Sequence, residues 1–181
     1  MDLSELCTEL ERGRVFNYLF FFGHRPRQVG RADASCLSQW FAAPFEVQGQ
    51  RYATAEHWMM AEKARLFEDA AMFERIVATD DPAEAKALGR EVRGFDQERW
   101  SAARFGIVVA GGEAKFGAHE GLRTFLLGTG DEVLVEAAPR DRIWGIGMGR
   151  DNPAARDPRR WRGKNLLGFS LMEVRRRLSG G

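Results

Sequence analysis

A chain of 181 residues and 20.4 kDa holds one ordinary domain, with room for a short appendage. Its 44% hydrophobic and 11% aromatic residues can fill a core, which excludes a disordered chain or a small stapled scaffold. Lys and Arg number 27 against 26 Asp and Glu, so a net charge of +1 excludes a globally basic, histone-like protein but permits a local patch. In chain order, residues 1–13 read as a short helix or arm, and Phe16–Phe22 as a β-prone run stopped by Gly23. Phe45–Val47 and Arg51–Tyr52 flank a hairpin turn at Gly49. Thr54 is placed to cap a helix running to about Phe67. Asp81-Pro82 with Glu84 opens a second helix, ending at Gly89. Asp96 caps a third, carrying Trp100, Ala103, Ile107 and Ala110 at helical spacing. Leu122–Leu127 is a short helix closed by Gly128, Val133–Val135 a short strand, and Asn165–Leu178 a last amphipathic helix. The order predicts an α+β fold, a mostly helical single domain around a small β-sheet.

Two cysteines, Cys7 and Cys36, cannot build a disulfide framework or a zinc site, so a reduced, cytoplasmic protein with no metal is expected. The acidic N-terminus does not read as a signal peptide, and the apolar run near Tyr18–Phe22 is too short for a bilayer, so no membrane partner is expected. Charge is uneven: residues 139–181 hold 11 basic and 4 acidic residues. The stretch with Arg156, Arg159, Arg160, Arg162 and Lys164 is either a solvated surface or a site for phosphate, free or in a nucleic-acid backbone.

Three constellations could carry chemistry. Glu56, Met60, Lys63 and Phe67 fall on one helical face. Glu56 and Lys63 are about 10.5 Å apart along the axis, so a sugar could lie between their side chains. Alternatively, Glu56 complements the helix dipole and Lys63 snorkels. The second is Pro139–Gly149, where alternating glycines let backbone approach a ligand. It lacks the full dinucleotide fingerprint, and Asp141 between Arg140 and Arg142 reads by default as part of an ion pair. The third is five tryptophans, of which Trp144 and Trp161 are the better candidates to stack on a base. Serine-hydrolase and zinc-hydrolase motifs are absent, and His24, His57 and His119 have no ligand spacing.

The ordered set of motifs resembles the NADAR (NAD- and ADP-ribose-associated) superfamily, including its YbiA-like N-glycosidases. The segments are Leu37-Ser38, Pro44-Phe45, Glu56-His57 through Lys63-Ala64, Ala85-Lys86, Gly89-Arg90, Trp100, Lys115-Phe116, Glu136 through Gly147, and Trp161 through Gly168. They span about residues 20–178 and leave 1–15 as an N-terminal arm or short helix before a domain over 16–181. Gln39, Ala138 and His119 depart from the family's usual residues.

The resemblance implies an α+β fold that hydrolyses an N-glycosidic bond to ribose. The substrate would be ADP-ribose on guanine in nucleic acid or a phosphorylated intermediate of riboflavin synthesis. The ligand is thus of ADP-ribose or ribose-phosphate type, with ADP-ribosylated nucleic acid as a partner and no cofactor. It places Glu56 and Asp141 as acting carboxylates and Trp100 among the acting residues. Lys63, or else Lys115, would be the amine that forms a ring-opened Schiff base. Trp100 and Trp144 would shape or stack, while Gly145, Gly147, Arg162, Asn165, Ser38 and Gln39 would hold ribose or phosphate. The alternative is a non-catalytic ADP-ribose or NAD-binding module.

Overall fold

The computed structural model describes residues 1–28 and 30–180, so residues 29 and 181 of the expected domain lie outside it. Helix α1 (Leu3–Glu11) starts on a capping box, with Asp2 and Glu5 each accepting the other's backbone N–H. Strand β1 (Tyr18–Phe21) is followed by a 3-10 turn at Ala34–Leu37. A hairpin of β2 (Phe45–Val47) and β3 (Gln50–Tyr52) turns at Gln48 and Gly49. Their φ values of 52° and 81° fit the twist of a two-residue β-turn.

Helices α2 (Ala55–Leu66), α3 (Ala70–Ala78), α4 (Pro82–Arg90), α5 (Gln97–Ala118) and α6 (Glu120–Gly128) follow, then β4 (Val133–Glu136) and α7 (Leu166–Ser179). The expected helices are present, with shifted ends. The Asp96-capped helix runs to Ala118, so it carries Lys115 and Phe116. Thr54 precedes α2, but its hydroxyl bonds the His57 ring at 2.8 Å instead of capping the backbone. Helix α3 is additional to the sequence reading, and Asp69 caps it while binding Arg93.

The fold is α+β and mostly helical, as expected, and its few strands form two separate pairs, the hairpin and a parallel pair of β1 with β4. β4 is buried on both faces, as parallel strands usually are. Leu134 joins the main core around α2, while Val133 and Val135 join a second core with Leu6, Ile146, Trp161 and Phe169. Helix α2 is buried along nearly all its length and packs on α3, α4 and α5. Glycine makes one of these contacts possible, since a Cβ on Gly111 of α5 would lie 2.3 Å from the Trp58 ring. That ring instead donates its N–H to the Ile107 carbonyl at 2.7 Å. Among the described residues no helix is long and apolar enough to cross a membrane.

Candidate active site

Period-two alternation along β4 puts Glu136 on the face of Leu134. Its backbone is held on every side. Its amide donates to Asn165 Oδ1 at 2.9 Å, its carbonyl accepts from Ile146, and the next amide, Ala137, donates to Phe21. The chain then turns at Asp141, whose Oδ1 accepts the amides of Ile143 (2.8 Å) and Trp144 (2.7 Å). Asp141 is therefore fixed by backbone donors, and the expected ion pair with its flanking arginines does not form.

A cleft of about 900 Å³ opens here, between the loops after β1 and β4, the Ser38–Trp40 turn and α4. Lys86 and Arg90 of α4, Arg140 and Arg142, and the acids Glu136 and Asp141 line it. Among the described residues none of these four cations is in an ion pair. Phe22 and Ile143, both well exposed, form an apolar lip.

Glu56 enters beneath this cleft from the first turn of α2. Its amide donates to the Gln39 carbonyl at 3.0 Å, and its side chain is 2% exposed with Oε1 unpartnered. Burial pushes its carboxyl up to about 7, and Asp141 pushes the same way; Lys86, the Trp40 indole and Arg90 oppose. Burial likewise pushes Glu136 up to about 8, helped by Asp141 and Glu56 and opposed by Lys86. Glu56, Glu136, Asp141 and Lys86 thus form one electrostatic cluster. A carboxyl whose affinity for protons lies near neutrality can give or take one there.

The face bearing Glu56, Met60 and Lys63 is real, but α4 occupies the space along it. Met60 packs so closely on Gly89 that a Cβ there would lie 2.0 Å from its sulfur. Lys63 donates to the Gly89 carbonyl at 2.6 Å, with its ammonium 4.3 Å from the Phe95 ring centroid and 5.8 Å from that of Trp100. No pentose can lie between Glu56 and Lys63. Lys63 and Trp100 back the end of α4 and lie outside the cleft lining, which corrects the pairing expected from the sequence. The lysine in the cleft is Lys86.

Lys115 is fully buried and donates to the carbonyls of Cys36 (2.7 Å) and Ser38 (2.9 Å). Burial pulls its ammonium down to about 8. It therefore ties down the turn that carries Ser38 and Trp40. Lys115→Met would leave the buried Cys36 carbonyl unpaired and the Ser38 carbonyl with the Phe41 amide alone, at about 1–3 kcal/mol for the first. Thermal unfolding is expected about 2–10 °C below wild type; an unchanged melting temperature would show that the turn needs no tie.

The other expected binding residues divide. Ser38 lines the cleft, with Oγ accepting the Trp40 amide at 3.2 Å. Gln39 points its amide 4.0 Å from Met59 sulfur and serves Glu56 through its carbonyl. Asn165 is fully buried, clasping Leu134 and Glu136, so it is a stitch between β4 and α7 and not a ribose ligand. Gly145 and Gly147 admit close packing: a Cβ on the first would meet Ala138 at 2.8 Å, and the second has φ 68° beside Arg162. Trp144 is half-buried against the main core, and Arg162 is exposed outside the cleft lining. Trp161, expected as a stacking candidate, is instead in the second core.

Comparison with known proteins agrees with this architecture. The profile of the NADAR domain matches residues 20–179. N-glycosidase R617 of Acanthamoeba polyphaga mimivirus is 39% identical over 163 residues, covering 87% of this chain and 94% of that protein. N-glycosidase YbiA of Escherichia coli is 31% identical over 147 residues, covering 81% and 83%. The NMR structure of the E. coli protein YbiA superposes with a TM-score of 0.72 at 29% identity, covering 90% of this chain and 85% of that one. Fold, cleft and these likenesses together make the chain a member of the NADAR domain family.

Proposed function

We propose that the cleft hydrolyses the N-glycosidic bond between a phosphorylated ribose, as in ADP-ribose or a ribose phosphate, and a nucleobase-like group. The hydrolase class rests on the relatives named N-glycosidases at 39%, 35% and 31% identity. The single observation that carries the finer reading is the division of charge. Three carboxyl groups gather at the floor, where a glycosidic carbon would become positive, and four cations free of ion pairs surround them, where phosphate would lie. Its volume is at the upper end for ligand pockets, which suits a nucleotide-sized substrate.

Lys86 takes the place expected for Lys63. Its amine attacks the anomeric carbon as a Schiff-base nucleophile, and Glu56 and Asp141 stabilise the developing charge or move the proton. The substrate is ADP-ribose on guanine in nucleic acid or a phosphorylated riboflavin-pathway intermediate. Incubation with an ADP-ribosylated guanine oligonucleotide, that intermediate and NAD, following base release, tests this. Release from one of the first two is the expected result. Binding of ADP-ribose with no release from any would make the protein a binding module instead.

A further inference from the structure

Glu136 stands where β4 leaves the core, and nothing in the fold uses its carboxyl. Its backbone is fixed by Asn165, Ile146 and the β1 ladder, while side-chain Oε2 is shielded from solvent and lacks a hydrogen-bond partner. Glu56 Oε1 is in the same condition. Buried carboxyl oxygens without donors are costly, so each is set to hold a proton or to meet a donor from a ligand.

The surroundings of the two groups differ. Glu56 faces two cations, Lys86 and Arg90, and the Trp40 indole, with Asp141 as its acidic neighbour. Glu136 faces two acids, Asp141 and Glu56, and one cation, Lys86. Arg90, Arg140, Arg142 and His24 line the cleft beyond it. Negative charge is therefore disfavoured more at Glu136. Paired carboxyls whose environments separate them in this way divide into an ionised and a protonated member.

We propose that Glu136 donates the proton to the departing nitrogen of the aglycone, with Glu56 as its ionised counterpart. The role rests on the N-glycosidase reading above. In the step, the bond between the anomeric carbon and the aglycone nitrogen breaks. Its electron pair goes to the nitrogen, which takes the Glu136 proton. The nucleophile gives up its own proton to Glu56. Over a turnover one water is consumed: its hydroxyl ends on the anomeric carbon and its hydrogen restores the proton on Glu136. Burial raises both carboxyls in the same order, Glu136 above Glu56.

Infrared difference spectroscopy on the ligand-free protein at pH 8, above the Glu56 value of about 7, locates the proton. A protonated-carboxyl band is expected in wild type and in Glu56→Gln, and reduced to a small residue from Glu56 in Glu136→Gln. Glutamine keeps the volume and the donor of the protonated acid, so the variant retains the fold. In single-turnover base release, Glu136→Gln is expected to lose on the order of 10²–10³-fold and the alkaline fall of the pH profile. A band of wild-type size in Glu136→Gln at pH 8, or a variant with the wild-type alkaline limb, overturns the assignment. Wild type that shows the Glu136-dependent band but releases base from no substrate overturns the N-glycosidase reading and the donor role with it, leaving only the location of the proton.

Discussion

Lys86→Ala is expected to lower single-turnover base release about 10³-fold, and Lys86→Arg nearly as far. Arginine keeps the positive charge but forms no Schiff base, so the pair separates a nucleophile from a cation that only steadies the carboxyls. Lys86 is placed for attack because α4 lays it in the cleft with Arg90, beside Glu56 and Glu136, with its ammonium 5.8 Å from the Trp40 ring centroid. Lys63→Ala is expected to change the rate less than about threefold, since that ammonium is spent on the Gly89 carbonyl. Borohydride added during turnover should leave a mass adduct on the peptide containing Lys86. An adduct on Lys63 would reverse the assignment. A Lys86→Arg protein with wild-type rate would reduce Lys86 to electrostatics.

Glu56→Gln and Glu136→Gln are each expected to make the protein more stable than wild type at pH 9 and about equal to it at pH 4.5. Both carboxyls have folded-state proton affinities raised above that of an unfolded glutamate, to about 7 and about 8. Folding therefore favours their protonated forms. That contribution is complete below pH ~4.5 and is lost as pH rises through the folded-state values. Above them wild type must hold ionised carboxyls in a buried cluster with Asp141, and glutamine does not. After relaxation around the site, about 2 kcal/mol per position is reasonable, or about 5 °C in melting temperature. Thermal unfolding of the three proteins at pH 4.5 and pH 9 measures it. If wild type were the most stable at pH 9, the carboxyls would be paired in a way the cleft does not show. Glu136→Gln is expected to lose activity as it gains this stability, the trade of a site that holds its acids at the expense of stability.

Local signals carried much of the fold. Gln48-Gly49 marks the hairpin because both positions need positive φ, and Asp81-Pro82 marks the start of α4 because the cap and the missing amide act within one turn. Helix α3 was also legible in principle, with Asp69 as cap and Met72 and Ile76 on one face, but the end of α2 lies only three residues before it. The candidate site was legible only in part. Helical spacing put Glu56, Met60 and Lys63 on one face, and they do share it. Spacing could not say that a second helix covers the face, because α4 is held there by Met60 against Gly89, a contact distant in sequence. Glu136 is the sharper omission. An acid one step past Val-Leu-Val continues the buried alternation, and that alone marks it as unusual. Its position in the cleft depends on pairing with β1, more than a hundred residues earlier.

The double-sided burial of β4 has a further consequence for how the molecule breathes. A strand wedged between two cores, with Asn165 clasping its carbonyl and amide, opens only when both cores come apart. Its amides therefore belong to the most slowly exchanging unit of the protein. At the lip, by contrast, the Phe22 and Ile143 side chains stand exposed above this floor. Opening on the slow exchange timescale is therefore expected to spare the floor, so that the spacing of Glu136 from Asp141 outlasts any rearrangement of those two side chains.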